Sequence, residues 1–363
     1  MRRILALVLV VLTTACPPPP SGPGPTPDGG TPDAGTPDGG SGGPISAPAN
    51  QWTWVPFSET RCGNGTPAGI GLNPAPGGSR RMLVYMQGGG ACWDFFTCYV
   101  LKTSIHVEDT YSQAVLNGEV AELTAWGLTD RQDATSPFRD AHFVYVPYCT
   151  GDLHTGDAVR GYDTLNPQRQ LHHRGSANMD AFLARLKATY PDTEQIWMMG
   201  SSAGGYGVQF NFDKVAQAFS GARVDLLADS AQAVTPYGGR WSEMVNAWSP
   251  RFPEGCTDCA RRLPTLIDTL AASWPGRRLG LLGYDNDATL TLYFNYPAGD
   301  LLGATNSLLA NQYTHPQTRY FVLPGTEHVL LNRYKTLVGP GGVSLKTWVR
   351  QWAEGDPAWT HVR

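Results

Sequence analysis

An α/β architecture with a mostly parallel, doubly wound sheet is predicted for this 363-residue chain by three observations. Short β-rich segments recur through residues 50–363, and helical patterns alternate with them. The third is Gly200-Ser201-Ser202-Ala203-Gly204, which lies between an apolar run, Gln195 to Met199, and a helix-like run, Tyr206 to Phe219. Alternating strands and helices imply a parallel sheet covered on both faces. The strand-turn-helix setting of the pentapeptide is that of a nucleophile elbow, which narrows the class to an α/β-hydrolase-like fold in one catalytic domain.

Taken in order, Met1 to Cys16 reads as an export signal: Arg2 and Arg3 form a basic start, and Ile4 to Leu12 form an apolar run too short to span a bilayer. Cys16 follows Leu12-Thr13-Thr14-Ala15 and resembles the lipobox cysteine of bacterial lipoproteins, although leucine lies one residue further back than usual. Cys16 is therefore the expected lipidation site, with plain cleavage near Ala15 as the alternative. Residues 17–49 are dominated by Pro, Gly, Asp and Thr, repeat Thr-Pro-Asp at Thr26, Thr31 and Thr36, and lack the apolar residues for a core. They are expected to form a solvated linker. Within it, Gly39-Gly40-Ser41-Gly42-Gly43 matches the Gly-x-Ser-x-Gly pattern with no strand before it and no helix after, so it carries no chemistry.

Strands are predicted at Met82 to Gln87, His142 to Pro147, Gln195 to Met199, Arg223 to Ala228, Leu279 to Tyr284 and Arg319 to Leu323. Met179, Phe182, Leu183 and Leu186 recur at helical spacing and mark a helix before the strand that feeds Ser202. Six cysteines remain after Cys16, an even number in an exported chain, and argue for disulfides. Cys92 with Cys98 and Cys256 with Cys259 suit small loops, leaving Cys62 with Cys149 as the long-range pair. Half a zinc site at Cys256-x-x-Cys259 is the weaker alternative, because no second half exists. The net charge of −4 and the lack of a Lys/Arg cluster make nucleic acid an unexpected partner.

A serine hydroxyl needs a histidine to take its proton and an acid to orient that histidine. Downstream of Ser202 stand only His315, His328 and His361. His328 follows the strand ending at Leu323, the position expected of a triad base in the order Ser, acid, His. His315 precedes a strand, and His361 falls in a C-terminus expected to fray. Asp285 and Asp287 both follow the strand Leu279 to Tyr284; one should meet His328 and the other cap a turn or helix. Asp229 is a third candidate, read as a loop or cap carboxylate. Gly88-Gly89-Gly90 follows an early strand, where lipases carry their oxyanion loop, and the N–H of Ala203 would be the further donor. Trp93, Phe95, Phe96 and Tyr206 adjoin these motifs and are candidates to line an acyl pocket.

Together, Gly88-Gly89-Gly90-Ala91-Cys92-Trp93, Tyr148-Cys149-Thr150-Gly151-Asp152 and Gly200-Ser201-Ser202-Ala203-Gly204-Gly205-Tyr206-Gly207 resemble the pectin acetylesterase family of Notum-like serine carboxylesterases, in its bacterial branch. The resemblance spans residues 51–363. It implies a serine esterase using Ser202, His328 and an aspartate, with oxyanion donors from Gly89, Gly90 and Ala203, and it supports the disulfide reading. The family glutamine three residues after the aspartate is missing from both candidates; Leu292-Tyr293-Phe294 suits Asp287 better than Asp285.

The function expected is that of an exported enzyme, lipid-anchored at the cell envelope or secreted, that hydrolyses acyl esters, foremost acetyl esters on polysaccharide. No metal or cofactor is required, the substrate is a small molecule or polysaccharide, membrane contact is limited to the N-terminal lipid, and a monomer is expected. The alternatives are a lipid or fatty-acyl esterase of the same fold, and a catalytically silent tethered carbohydrate-binding protein.

Overall fold

The computed structural model describes residues 43–363. The predicted lipidation site Cys16, the export signal and most of the predicted linker lie outside the described residues. Packed structure begins earlier than the expected boundary at residue 50. Ile45 is buried in the core, and its N–H donates to Thr189 Oγ1 at 2.8 Å.

Ten strands follow in chain order: β1 (Thr53–Pro56), β2 (Gly69–Asn73), β3 (Arg81–Met86), β4 (His142–Val146), β5 (Ala158–Arg160), β6 (Leu171–His173), β7 (Gln195–Ser201), β8 (Arg223–Asp229), β9 (Leu279–Tyr284) and β10 (Thr318–Leu323). Eight of them form one sheet in the order β1-β2-β4-β3-β7-β8-β9-β10, while β5 and β6 make a separate ribbon. The run from β4 to β10 is parallel, and only β1 and β2 join antiparallel at one edge. Every residue of β4 and β9, and all but the first of β7 and β8, is buried. Successive side chains point to opposite faces, so this burial means that both faces are covered.

The covering helices are α1 (Gln113–Trp126), α2 (Gly175–Thr189), α3 (Ala203–Ala218), α4 (Arg240–Trp248), α5 (Thr265–Ser273), α6 (Ala288–Tyr293), α7 (Asp300–Asn311) and α8 (Leu345–Glu354). The apolar stripe predicted from Met179 to Leu186 is α2, and all four of its residues are buried. On α8, Trp348 packs edge-on against Phe321 of β10, and the carbonyl of Ala353 accepts the indole N–H of Trp197 on β7. The C-terminus does not fray: Val362 runs beside β10, its carbonyl accepting Val322 N–H and its N–H donating to the Tyr320 carbonyl, and the His361 ring packs at a tilt against Tyr320. Three disulfides join Cys62 to Cys149, Cys92 to Cys98 and Cys256 to Cys259. The Cys92–Cys98 loop carries the segment that follows Gly88-Gly89-Gly90, and Cys149 sits just beyond β4, so two of the cross-links brace the sheet end that bears the site.

Candidate active site

Ser202 occupies the sharp turn between β7 and α3, with φ 56° and ψ −123°, a conformation that few non-glycine residues adopt. Its backbone is held from both sides: its N–H donates to the Asp229 carbonyl at 2.8 Å, and its carbonyl accepts from Tyr206 N–H at 3.2 Å. The turn can be this tight because Gly204 lets α3 close on β3; a Cβ there would lie 1.9 Å from the Met86 carbonyl oxygen. The neighbouring Ser201 is chemically committed. Its Oγ donates to Asp229 Oδ2 at 2.9 Å and accepts from Tyr85 Oη at 3.1 Å. Of the two adjacent hydroxyls, Ser202 is the one with no hydrogen-bond partner among the described residues.

His328 stands in the loop after β10, and its Nδ1 lies 2.7 Å from Asp287 Oδ2. Asp287 is fully buried, and its other oxygen accepts the Leu290 N–H at 3.0 Å at the start of α6. A single residue therefore does both jobs that were expected of two aspartates: Asp287 meets His328 and caps the helix. Asp285 instead accepts the Gly325 N–H at 3.2 Å and faces Arg363 at 3.6 Å. The two loops are laced together, with Asp285 N–H on the Leu323 carbonyl, Asn286 N–H on that of Gly325 and Ala288 N–H on that of Thr326. That lacing brings Asp287 and His328, far apart in sequence, into register.

Asp229 is more than a cap carboxylate. Buried at the end of β8, it accepts Leu330 N–H at 2.9 Å and Leu331 N–H at 3.0 Å, so it anchors the chain immediately after His328. Burial pushes its carboxyl above the usual range against the hydrogen bonds that pull it down. Ser230 Oγ holds Val329 N–H at 2.8 Å in the same way. Local sequence carries no sign of this bracing, because it joins β8 to a loop about a hundred residues later.

Ser202, His328 and Gly88 to Gly90 border one cavity of about 330 Å³. The N–H groups of Gly89, Gly90 and Ala203 donate no hydrogen bond among the described residues, and Ala203 opens α3, where first-turn donors lack intrahelical partners. The remaining wall differs from expectation. Trp93 is buried under Arg240, Tyr206 is buried with its hydroxyl on the Gln232 carbonyl, and Phe95 and Phe96 are exposed; none of the four borders the cavity. Its aromatic lining comes from Tyr85, Tyr145, Trp126 and Tyr293. Tyr85 and Tyr145 are register partners on β3 and β4, so strand alternation combined with the pairing order would have found them. His315, the other histidine weighed, faces Asp268 at 3.1 Å. Among the described residues, no group of three or more His, Cys, Asp or Glu side chains could hold a metal ion.

Residues 53–234 match the family described as pectinacetylesterase. A palmitoleoyl-protein carboxylesterase, notum1', of Xenopus laevis is 30% identical over 180 residues, 47% of this chain and 34% of that protein. Its counterpart NOTUM of Schmidtea mediterranea is 26% identical over 162 residues, 44% of this chain and 29% of that protein. The matched stretch thus spans only about a third of the length of these curated relatives. Among solved structures, the Wnt deacylase Notum from Drosophila superposes with a TM-score of 0.65 at 19% identity, covering 87% of this chain and 96% of that one. At that identity the likeness speaks to the fold, an α/β arrangement with a mostly parallel central sheet.

Proposed function

Because the chain belongs to the pectinacetylesterase family, we propose that it hydrolyses short acyl esters, foremost acetyl esters on a polysaccharide, using Ser202, His328 and Asp287. The observation that carries this reading is the shared cavity: an unpartnered serine on a strained elbow opens onto it beside a histidine paired at 2.7 Å with a buried carboxylate. Asp287 accepts Nδ1–H of His328 and so leaves Nε2 with a lone pair for the Ser202 proton. Ser202 Oγ then attacks the acyl carbonyl, and the N–H groups of Gly89, Gly90 and Ala203 receive the oxyanion. The imidazolium returns its proton to the departing sugar oxygen. In the second half, His328 deprotonates water, which attacks the acyl-serine and releases the acid.

The relatives' names speak of palmitoleoyl-protein substrates, but the cavity wall here favours a short acyl group. Gln87, Glu122, Tyr85 and Tyr145 border it, and a long alkyl chain laid against them would strip water from a carboxylate and an amide without replacing its hydrogen bonds. Three disulfides suit an oxidising compartment and support export, with lipidation at Cys16 as part of the same proposal.

A fluorophosphonate probe should label Ser202, and Ser202→Ala should lose turnover of p-nitrophenyl acetate by a factor on the order of 10⁶ while keeping its thermal transition. Folded wild-type protein that neither takes the probe nor turns over the ester would leave the tethered binding protein as the better account.

A further inference from the structure

Helix α1 presents Glu119, Glu122, Leu123 and Trp126 to the cavity that holds Ser202, a spacing of i, i+3, i+4 and i+7 that places all four on one helical stripe. The cavity wall contains no lysine or arginine. Building on the esterase reading, we infer that this stripe selects esters carried on neutral, hydroxyl-rich glycans and turns away those on polyuronates, with Glu122 as the discriminating residue.

The two carboxylates play different parts. Glu119 is fastened from behind, accepting the hydroxyls of Tyr111 and Tyr145 and pairing with His106 Nε2 at 2.8 Å. Burial alone would raise its carboxyl, but the bonds from His106, Tyr111 and Gln87 outweigh it and hold the group ionised below the usual range. His106 is raised in return, chiefly by its bond to Glu119, so that charge is largely balanced within the wall. Glu122 is exposed, belongs to no salt bridge and accepts no hydrogen bond among the described residues. Its negative charge is uncompensated at the cavity.

A free carboxylate beside an indole is a chemical match for a neutral sugar. Hydroxyls supply donors to Glu122, and the apolar face of a pyranose ring suits Trp126. A uronate offers the wrong charge. Bringing its carboxylate within several ångströms of Glu122, with no lysine or arginine in the wall to compensate, weakens productive binding by about tenfold at low salt. The family's pectin-directed description thus does not extend to the charge of this cavity.

The test compares kcat/KM on an O-acetylated neutral oligosaccharide and on an O-acetylated oligogalacturonide of matched length, for wild type and Glu122→Gln, at 0.05 M and 1 M NaCl. Wild type should favour the neutral substrate by about tenfold or more at low salt. Both Glu122→Gln and 1 M NaCl should narrow the ratio several-fold, because one removes the charge and the other screens it to about 3 Å. Equal or faster turnover of the uronate by wild type, or a ratio indifferent to both changes, would overturn the inference. p-Nitrophenyl acetate, which carries no sugar, is assayed alongside: turnover there without glycan discrimination sinks this inference alone, whereas no turnover at all sinks the esterase reading beneath it.

Discussion

Gly90→Ala is the sharpest perturbation of the proposed oxyanion loop. Gly90 has φ +81°, and a Cβ at this position would lie 2.0 Å from the Thr103 carbonyl oxygen and 2.5 Å from Tyr293 Oη. Neither neighbour yields easily, because Tyr293 Oη donates to that same Thr103 carbonyl at 2.5 Å. Reaching even a 3.0 Å contact requires a displacement of about 1 Å. An oxyanion donor works within roughly 2.7–3.1 Å, so a shift of that size forfeits the bond, and losing one such donor costs about 10²–10³ in kcat. The left-handed backbone adds a stability loss of about 1–2 kcal/mol for any residue with a Cβ. Gly77→Ala separates the two effects: Gly77 has φ +78° with nothing within 4 Å, so it should show the strain without the collision. The assay is kcat and KM on p-nitrophenyl acetate with a thermal melt for each variant. Both should lose stability, Gly90→Ala the more because of its collision, and only Gly90→Ala should lose kcat. If Gly90→Ala kept wild-type kcat while melting at or below Gly77→Ala, the loop would not be the donor.

Asp287→Asn should lower kcat by about 10⁴, because it removes the acceptor that sets the His328 tautomer, while Asp285→Asn, which touches only Gly325 and the Arg363 side chain, should cost no more than about tenfold. Parallel kinetics on one ester decide it, and a deeper fall for Asp285→Asn would reassign the acid. Acid should destabilise the fold from an unusually high pH. Burial lowers His154 to about 4 and His173 to about 3, and His142, His172 and His361 shift the same way. Unfolded, these rings titrate near 6.5, so their contribution is whole above about pH 6.5 and is lost as pH falls toward 4 and 3, several kcal/mol in total. Among the histidines, His106, which is raised, has the opposite sign and stands alone against five. Urea midpoints measured between pH 7.5 and 5 should hold down to about pH 6.5 and fall below it; a flat profile throughout would refute the assignment.

Local sequence determined the parts of this protein whose physics is local. A tight turn needs small residues on either side of Ser202, buried parallel strands need unbroken apolar runs, and α2 needs apolar residues at helical spacing; each leaves a mark within a few neighbouring positions. The three disulfides were legible too, because even cysteine number and loop size constrain the pairing. The edge strands were not. β1 is only four residues long and ends in proline, and β2 is interrupted by two glycines and an asparagine, residues depleted in strands; the pair forms against the edge of β4. Sequence favoured Asp287 over Asp285 only through the family resemblance, and the contact of Asp287 with His328 depends on where two loops lace together. Tertiary structure alone decided the cavity wall: the aromatics next to the motifs turn away, and α1, from an intervening segment with no motif of its own, places Glu119, Glu122 and Trp126 on the cavity that Ser202 borders. Side chains that meet by packing across the sheet end obey no sequence spacing, and the chemistry they add is visible only once the chain has folded.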